Sequence, residues 1–104
     1  MTQYTTVKLD RRYKLHRAGF ELMLVWSWPA SSNELAINHP WREYRRYQSI
    51  AEKRLGLPYY VNVNPAGKWK PERKYRNVTG GRDVIEERLY IESEKYLTLL
   101  QLAI

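Results

Sequence analysis

The segment Phe20–Trp28, FELMLVWSW, constrains the fold more than any other. Its residues alternate with the two-residue period of a strand. Phe20, Leu22, Leu24, Trp26 and Trp28 fall on one face, and Glu21, Met23, Val25 and Ser27 on the other. One face is wholly apolar and the other mixed. Such a strand belongs in a sheet covered by helices on one side. The rest of the chain must supply the cover and the neighbouring strands.

The cover is legible at Pro40–Leu55. Proline suits the first helical position, with Asn38 or His39 near the cap. Gly56 stops the helix and Pro58 forbids its resumption. Trp41, Tyr44, Gln48, Ala51 and Leu55 form a single stripe, which predicts the packing face. Arg42, Arg45, Arg46, Ser49 and Lys53 share a separate arc of roughly 100°, bordered by Tyr47. The helix therefore carries a packing face and a four-cation face.

Other elements follow from local composition. Tyr4–Leu9 reads as a strand, Asp10–Arg17 as a basic connector, and Gly19 as a turn. Pro29–Asn33 is a loop and Tyr59–Asn64 (YYVNVN) a strand, followed by a turn at Pro65–Gly67. Trp69–Val78 is an irregular edge strand, because Pro71 is tolerated only at an edge or bulge. Gly80-Gly81 breaks the chain, and Arg88–Glu92 is a further strand. Ser93 is a good cap for a helix over Glu94–Leu102, with Glu94 favourable in its first turn. A hairpin strand over Tyr96–Ile104 is the alternative. The sum is an α+β fold: a mainly antiparallel sheet of four to five strands, with one long and one short C-terminal helix packed on one face. Residues 1–104 are expected to form a single domain.

Composition narrows the chemistry. With no cysteine, a disulfide scaffold, a thiolate metal site and cysteine catalysis are excluded. Two histidines nearly exclude a histidine-rich metal site, and no spacing calls for a cofactor. The longest apolar run, Leu22–Trp26, is far short of a bilayer span, and Met1–Leu9 lacks the apolar centre of a signal peptide. A cytoplasmic location and no membrane partner are the expectation.

The charge is the main functional lead. Eighteen Lys and Arg face 11 Asp and Glu, a net of +7. Residues 1–82 hold 16 of the cations against 6 acids, while residues 83–104 are net acidic. Eleven of the cations are arginine, whose planar fork suits phosphate and carboxylate and stacks on bases. Negative partners are favoured: nucleic acid, a nucleoprotein or an acidic protein.

Basic residues mix with aromatics in three places. The first is Arg11, Arg12, Tyr13 and Lys14, with Arg17 close by; the second is the helix face Arg42, Arg45, Arg46 and Lys53. The third is Lys68, Trp69, Lys70, Arg73, Lys74, Tyr75 and Arg76. Cations neutralise phosphates, and aromatics stack on unpaired bases at about 1–3 kcal/mol each. Trp41 and Tyr44 are expected in the core, which leaves Trp69 and Tyr75 either as stacking platforms or as aromatics that pack an edge strand.

Catalytic signals are thin. Gly80-Gly81 lacks the spacing of a phosphate-binding loop and reads as a turn. Neither His16 nor His39 stands in a nucleophile motif. Glu86-Glu87 and Glu92/Glu94 match no calcium loop and read as a solvated acidic face.

Residues 88–104, RLYIESEKYLTLLQLAI, resemble the ending of small bacteriophage-encoded accessory proteins: a short aromatic strand, an acidic helix start, then an apolar helix. The resemblance implies a protein that binds and redirects a host machine, such as a polymerase or a nucleic-acid-guided defence complex, in the host cytoplasm. The leading expectation is a non-enzymatic binding protein for nucleic acid or an acidic, nucleoprotein host complex. The rivals are a small enzyme acting on a phosphorylated substrate, with His16 as acid/base, and a scaffold that dimerises through its apolar C-terminal tail. The sequence leaves the oligomeric state open.

Overall fold

The computed structural model describes residues 3–78 and 82–104. Its elements are β1 (Thr5–Lys8), α1 (Lys14–Arg17), β2 (Leu22–Pro29), α2 (Pro40–Leu55), β3 (Trp69–Val78), β4 (Arg82–Ile91) and α3 (Glu94–Ala103). The four strands form one antiparallel sheet in the order β1-β2-β4-β3. The α+β class and the antiparallel sheet stand as expected. Gly80-Gly81 lies outside the described residues.

β2 organises the core. Leu22, Leu24, Trp26 and Trp28 project from one face, opposite Ile91, Leu89, Glu87 and Ile85 of β4. α2 and α3 cover this face, inserting Tyr44, Tyr47, Ala51 and Leu100. Phe20 departs from the expected stripe. It precedes β2, after Gly19 at φ +106°, and joins Leu9, Met23 and Tyr90 in a cluster on the opposite face. That second cluster is closed by Tyr13, Leu15 and Tyr59. The sheet is therefore partly covered on both sides, and the connector contains a one-turn helix, α1.

α2 has the expected bounds. His39 caps it with its ring, since Nδ1 accepts from the Trp41 backbone N–H at 3.1 Å. Gly56 ends it at φ +83°, a backbone conformation open to glycine. Arg42, Arg45, Arg46 and Lys53 are exposed, as the periodicity predicts. The packing stripe is turned from the expected one. Tyr47 is buried, while Gln48, Trp41 and Leu55 are only half-buried. Tyr47 packs on Tyr4 and Trp26, with ring centroids 5.4 and 5.6 Å away.

Two further expectations need correction. Tyr59–Asn64 is a turn closed by a single bridge between Tyr60 and Asn64, with Tyr60, Val61 and Val63 exposed. The Asn64 side chain holds the turn by donating to the Leu57 and Pro58 carbonyls at 2.9 and 3.0 Å. The last strand also begins six residues earlier than expected. Residues 82–87 pair with β3 and Glu86 and Glu87 are buried, so they are no solvated acidic face.

α3 follows Ser93, although the Ser93 side chain makes no capping hydrogen bond. The hairpin alternative for Tyr96–Ile104 is thereby set aside. Among the described residues, no helix is long and apolar enough to cross a membrane.

Leu24 is fully buried at the centre of the covered face, and Leu102 lies exposed on α3. Leu24→Ala should cost about 2–5 kcal/mol in denaturant titration. Leu102→Ala should stay within about 0.5 kcal/mol. Equal costs would contradict the central place of Leu24 in the core.

Candidate functional site

The sheet face opposite α2 is only partly covered, and the uncovered part is a groove. α1 and the residues before it form one wall. The turn at 59–63 forms the other, and β3 and β4 supply the floor through Lys70, Glu72, Lys74, Arg88 and Tyr90. The volume is about 900 Å³. Six cations line it: Arg12, Lys14, Arg17, Lys70, Lys74 and Arg88. Tyr13, Tyr59, Tyr60 and Tyr90 are interleaved with them, and Glu72 is the one carboxylate in the lining.

Local structure explains each wall. Gly67 is buried where the chain turns back against the 57–64 segment. A Cβ there would lie 2.5 Å from the Tyr59 backbone nitrogen, so glycine is required for the approach. Tyr59 N–H donates to the Trp69 carbonyl at 2.7 Å, and the Trp69 indole donates to the Gly56 carbonyl at 2.9 Å. The 57–64 wall is thus tied to the start of β3. Lys70 then rests between the rings of Tyr59 and Tyr60, 5.8 and 5.4 Å from their centroids. Those contacts hold the ammonium over two ring faces in the groove.

The floor is a network of charges set by the register. Glu86, Arg88 and Tyr90 of β4 share the uncovered face with Lys70, Glu72, Lys74 and Arg76 of β3. Arg88 Nε donates to Glu86 at 3.1 Å and its Nη1 to the Tyr90 hydroxyl at 3.1 Å. Tyr90 in turn donates to Glu72 at 3.0 Å. Arg76 donates to Glu86 from the next rung. Burial pushes Glu86 up, but hydrogen bonds from Arg76 and Arg88 outweigh it and hold the carboxyl below its ordinary value. On the covered face Glu87 is paired with Arg73, yet burial wins there and keeps its carboxyl above the ordinary value. Burial raises the phenols of Tyr44 and Tyr90 as well.

The groove brings together only part of the sequence-predicted set. Arg12, Lys14, Lys70 and Lys74 line it. Arg12 is also held by Asp10 in a two-pronged pair at 3.0 and 2.9 Å, an exposed contact of small energetic weight. Arg11 is exposed but lies outside the lining. Arg73 and Arg76 are committed to Glu87 and Glu86, and Lys68 is 3.3 Å from Glu92. Tyr75 is exposed on β3, away from the groove lining. Trp69 is 1% exposed and belongs to the core, so its ring offers no stacking surface. Arg17, noted beside the first basic cluster, also lines it, and Arg88 and three tyrosines (Tyr59, Tyr60 and Tyr90) join the lining without having been singled out for it.

The cations of α2 stand on the other side of the sheet. Arg42 donates to the Leu35 and Ala36 carbonyls at 3.0 and 3.1 Å, which ties down the loop before the helix. Arg45 donates to Gln48 and lies over the Trp41 ring. Arg46 and Lys53 make no ion pair among the described residues.

Neither histidine is arranged for base catalysis. His39 Nδ1 accepts the Trp41 N–H, so the proton of the neutral ring is on Nε2, 2.8 Å from Ser32 Oγ. Nε2–H then donates to the serine, and Ser32 donates onward to the Pro29 carbonyl at 2.8 Å. A serine nucleophile needs the opposite polarity. His16 lies on α1 with no carboxylate partner among the described residues. There is also no cluster of three or more metal-ligating side chains among them.

No protein-family model, curated protein or solved structure matches the chain.

The two glutamates give opposite pH signatures. Glu86, with its lowered value, contributes stability above the ordinary carboxylate pKa, and the contribution is lost as pH falls through the lowered value. Glu87, with its raised value, contributes below the ordinary pKa and loses that as pH rises through the raised one. Glu86→Gln should cost about 1–3 kcal/mol at neutral pH, and the difference from wild type should shrink on acidification. Glu87→Gln should cost less at neutral pH than in acid. Denaturant titrations at several pH values measure both, and identical profiles would contradict the assignment.

Proposed function

We propose that this chain is a non-enzymatic binding protein that takes a single strand of nucleic acid in the groove of its uncovered sheet face. One observation carries the reading. Cations and tyrosines from two distant segments, 12–17 and 59–74, converge on one concave surface with a single carboxylate in its lining. Cations meet phosphates, and tyrosine faces meet bases that have left the duplex stack. Tyr60 is half exposed beside Lys70, so one residue pair presents both chemistries.

The concave shape favours a flexible strand over a rigid duplex. The cations of α2 lie across the sheet and form a secondary surface. The bacteriophage-like ending is compatible with a target inside a host nucleoprotein machine, whose exposed single strand would enter the groove.

The test is the salt dependence of binding to a labelled single-stranded oligonucleotide, read by fluorescence anisotropy. Each phosphate contact contributes about −0.7 to the slope of log affinity against log salt. Replacing Lys70 and Lys74 together by alanine should reduce the slope by about 1.4. Replacing Arg45 and Arg46 should change it by less than about half a unit. The reverse pattern would move the site to α2. Recovery of an acidic protein partner that survives nuclease treatment, with no oligonucleotide affinity, would replace nucleic acid as the ligand.

A further inference from the structure

Glu72 is out of place in a site built to hold an anion. A carboxylate on the floor weakens phosphate binding, although Glu72 also shares the charge of Arg88 with Glu86, which is itself shared with Arg76. Its contacts are one-sided. The Tyr90 hydroxyl at 3.0 Å, Arg88 at 3.7 Å and Lys74 at 3.9 Å all approach Oε1. Oε2 accepts no hydrogen bond among the described residues, and the side chain is 30% exposed. One oxygen is held by Tyr90, and the residue lines the groove.

We propose that Glu72 Oε2 accepts a hydrogen bond from the exocyclic amino group of an unpaired base, so that the groove prefers strands of cytosine or adenine to strands of thymine. The inference rests on the nucleic-acid reading above and deepens it. An ionised carboxylate is acceptor-only, so the ligand must bring a donor. Cytosine offers its N4 amino group and adenine its N6 amino group. Thymine offers no amino group, and its single ring N–H lies between two carbonyl oxygens that the carboxylate would repel. The Arg88–Tyr90–Glu72 chain of hydrogen bonds fixes the acceptor in advance. Little side-chain freedom is then lost when the base arrives. The neighbouring Lys70 and Lys74 supply the phosphate contacts.

The experiment compares oligo(dC), oligo(dA) and oligo(dT) of equal length at one salt concentration. Deoxy strands remove the ribose 2′-hydroxyl as a rival donor. Wild-type protein should bind oligo(dC) and oligo(dA) about tenfold more tightly than oligo(dT), the scale of one charge-assisted base contact. In Glu72→Gln the preference should fall to within about twofold, because the amide presents both a donor and an acceptor. All affinities should rise in that variant, since a negative charge is gone, so the ratio and not the absolute affinity is the readout. The wild-type ratio needs no variant and stands even where Glu72→Gln folds poorly. Equal wild-type affinities overturn the proposal, and so does a preference that Glu72→Gln leaves intact. Absence of binding to all three strands instead overturns the nucleic-acid reading itself.

Discussion

Three tryptophans are buried in a chain of 104 residues, and each brings an indole N–H that must find an acceptor away from water. Trp26 donates to Glu43 at 3.0 Å, Trp28 to Glu34 at 3.0 Å and Trp69 to the Gly56 carbonyl at 2.9 Å. Each bond joins the sheet to a different piece of the cover: the first turn of α2, the loop before it, and the glycine that ends it. A helix lying on an apolar face is free to slide or rotate with small change in buried area, because the hydrophobic effect has no direction. These three donors remove that freedom. Glu43 shows the economy of the arrangement, since the same oxygen also accepts the Gln3 backbone N–H at 2.7 Å and so fixes the chain entering β1.

The groove inherits its geometry from this pinning. Trp69 sits where β3 begins, and its indole holds the residue at which α2 ends. The chain leaves Gly56 and returns to Lys68 within eleven residues, 57–67. The position of the wall at 57–64 is dictated from both ends, and the tight approach of Gly67 removes the remaining slack. The floor is fixed differently, by ion pairs and hydrogen bonds spanning β3 and β4. Apolar burial thus decides where the groove lies, and paired charges decide what faces into it.

β2 and α2 were legible in the sequence because their periods, two and 3.6, are unbroken over many residues. Residues 82–87 were hidden for a physical reason. Glu86 and Glu87 read as solvent-facing unless one knows that Arg76 and Arg73 will meet them across the strands, and those two partners are fixed only by the register of β3 on β4. Tyr59–Asn64 misled in the other direction. Its tyrosines and valines favour a strand, but Asn62, Asn64, Pro65 and Gly67 are turn formers, and the Asn64 side chain settles the contest. The turned stripe of α2 has a simpler cause. Tyr44, Tyr47 and Ala51 fit helical spacing as well as Tyr44, Gln48 and Ala51 do, and greater apolar bulk selects tyrosine. At the site, the basic segments were visible but their convergence was not. Trp69 could not be told from a surface aromatic until its neighbours in three dimensions were known.

The groove has no local existence. Its walls come from residues 12–18 and 59–63, and its floor requires β4 to lie between β2 and β3, with Leu22 opposite Ile91. No fragment of the chain contains it, so a partly unfolded molecule has nothing with which to grip a ligand. Occupancy and folding are therefore linked equilibria. A ligand held at a hundred times its dissociation constant adds about 2.7 kcal/mol to the free energy of unfolding. For a domain of this size, that shift is a sizeable part of the whole stability. Were the groove to hold a ligand, the fraction of chains that survive proteolysis would depend on how much of that ligand surrounds them.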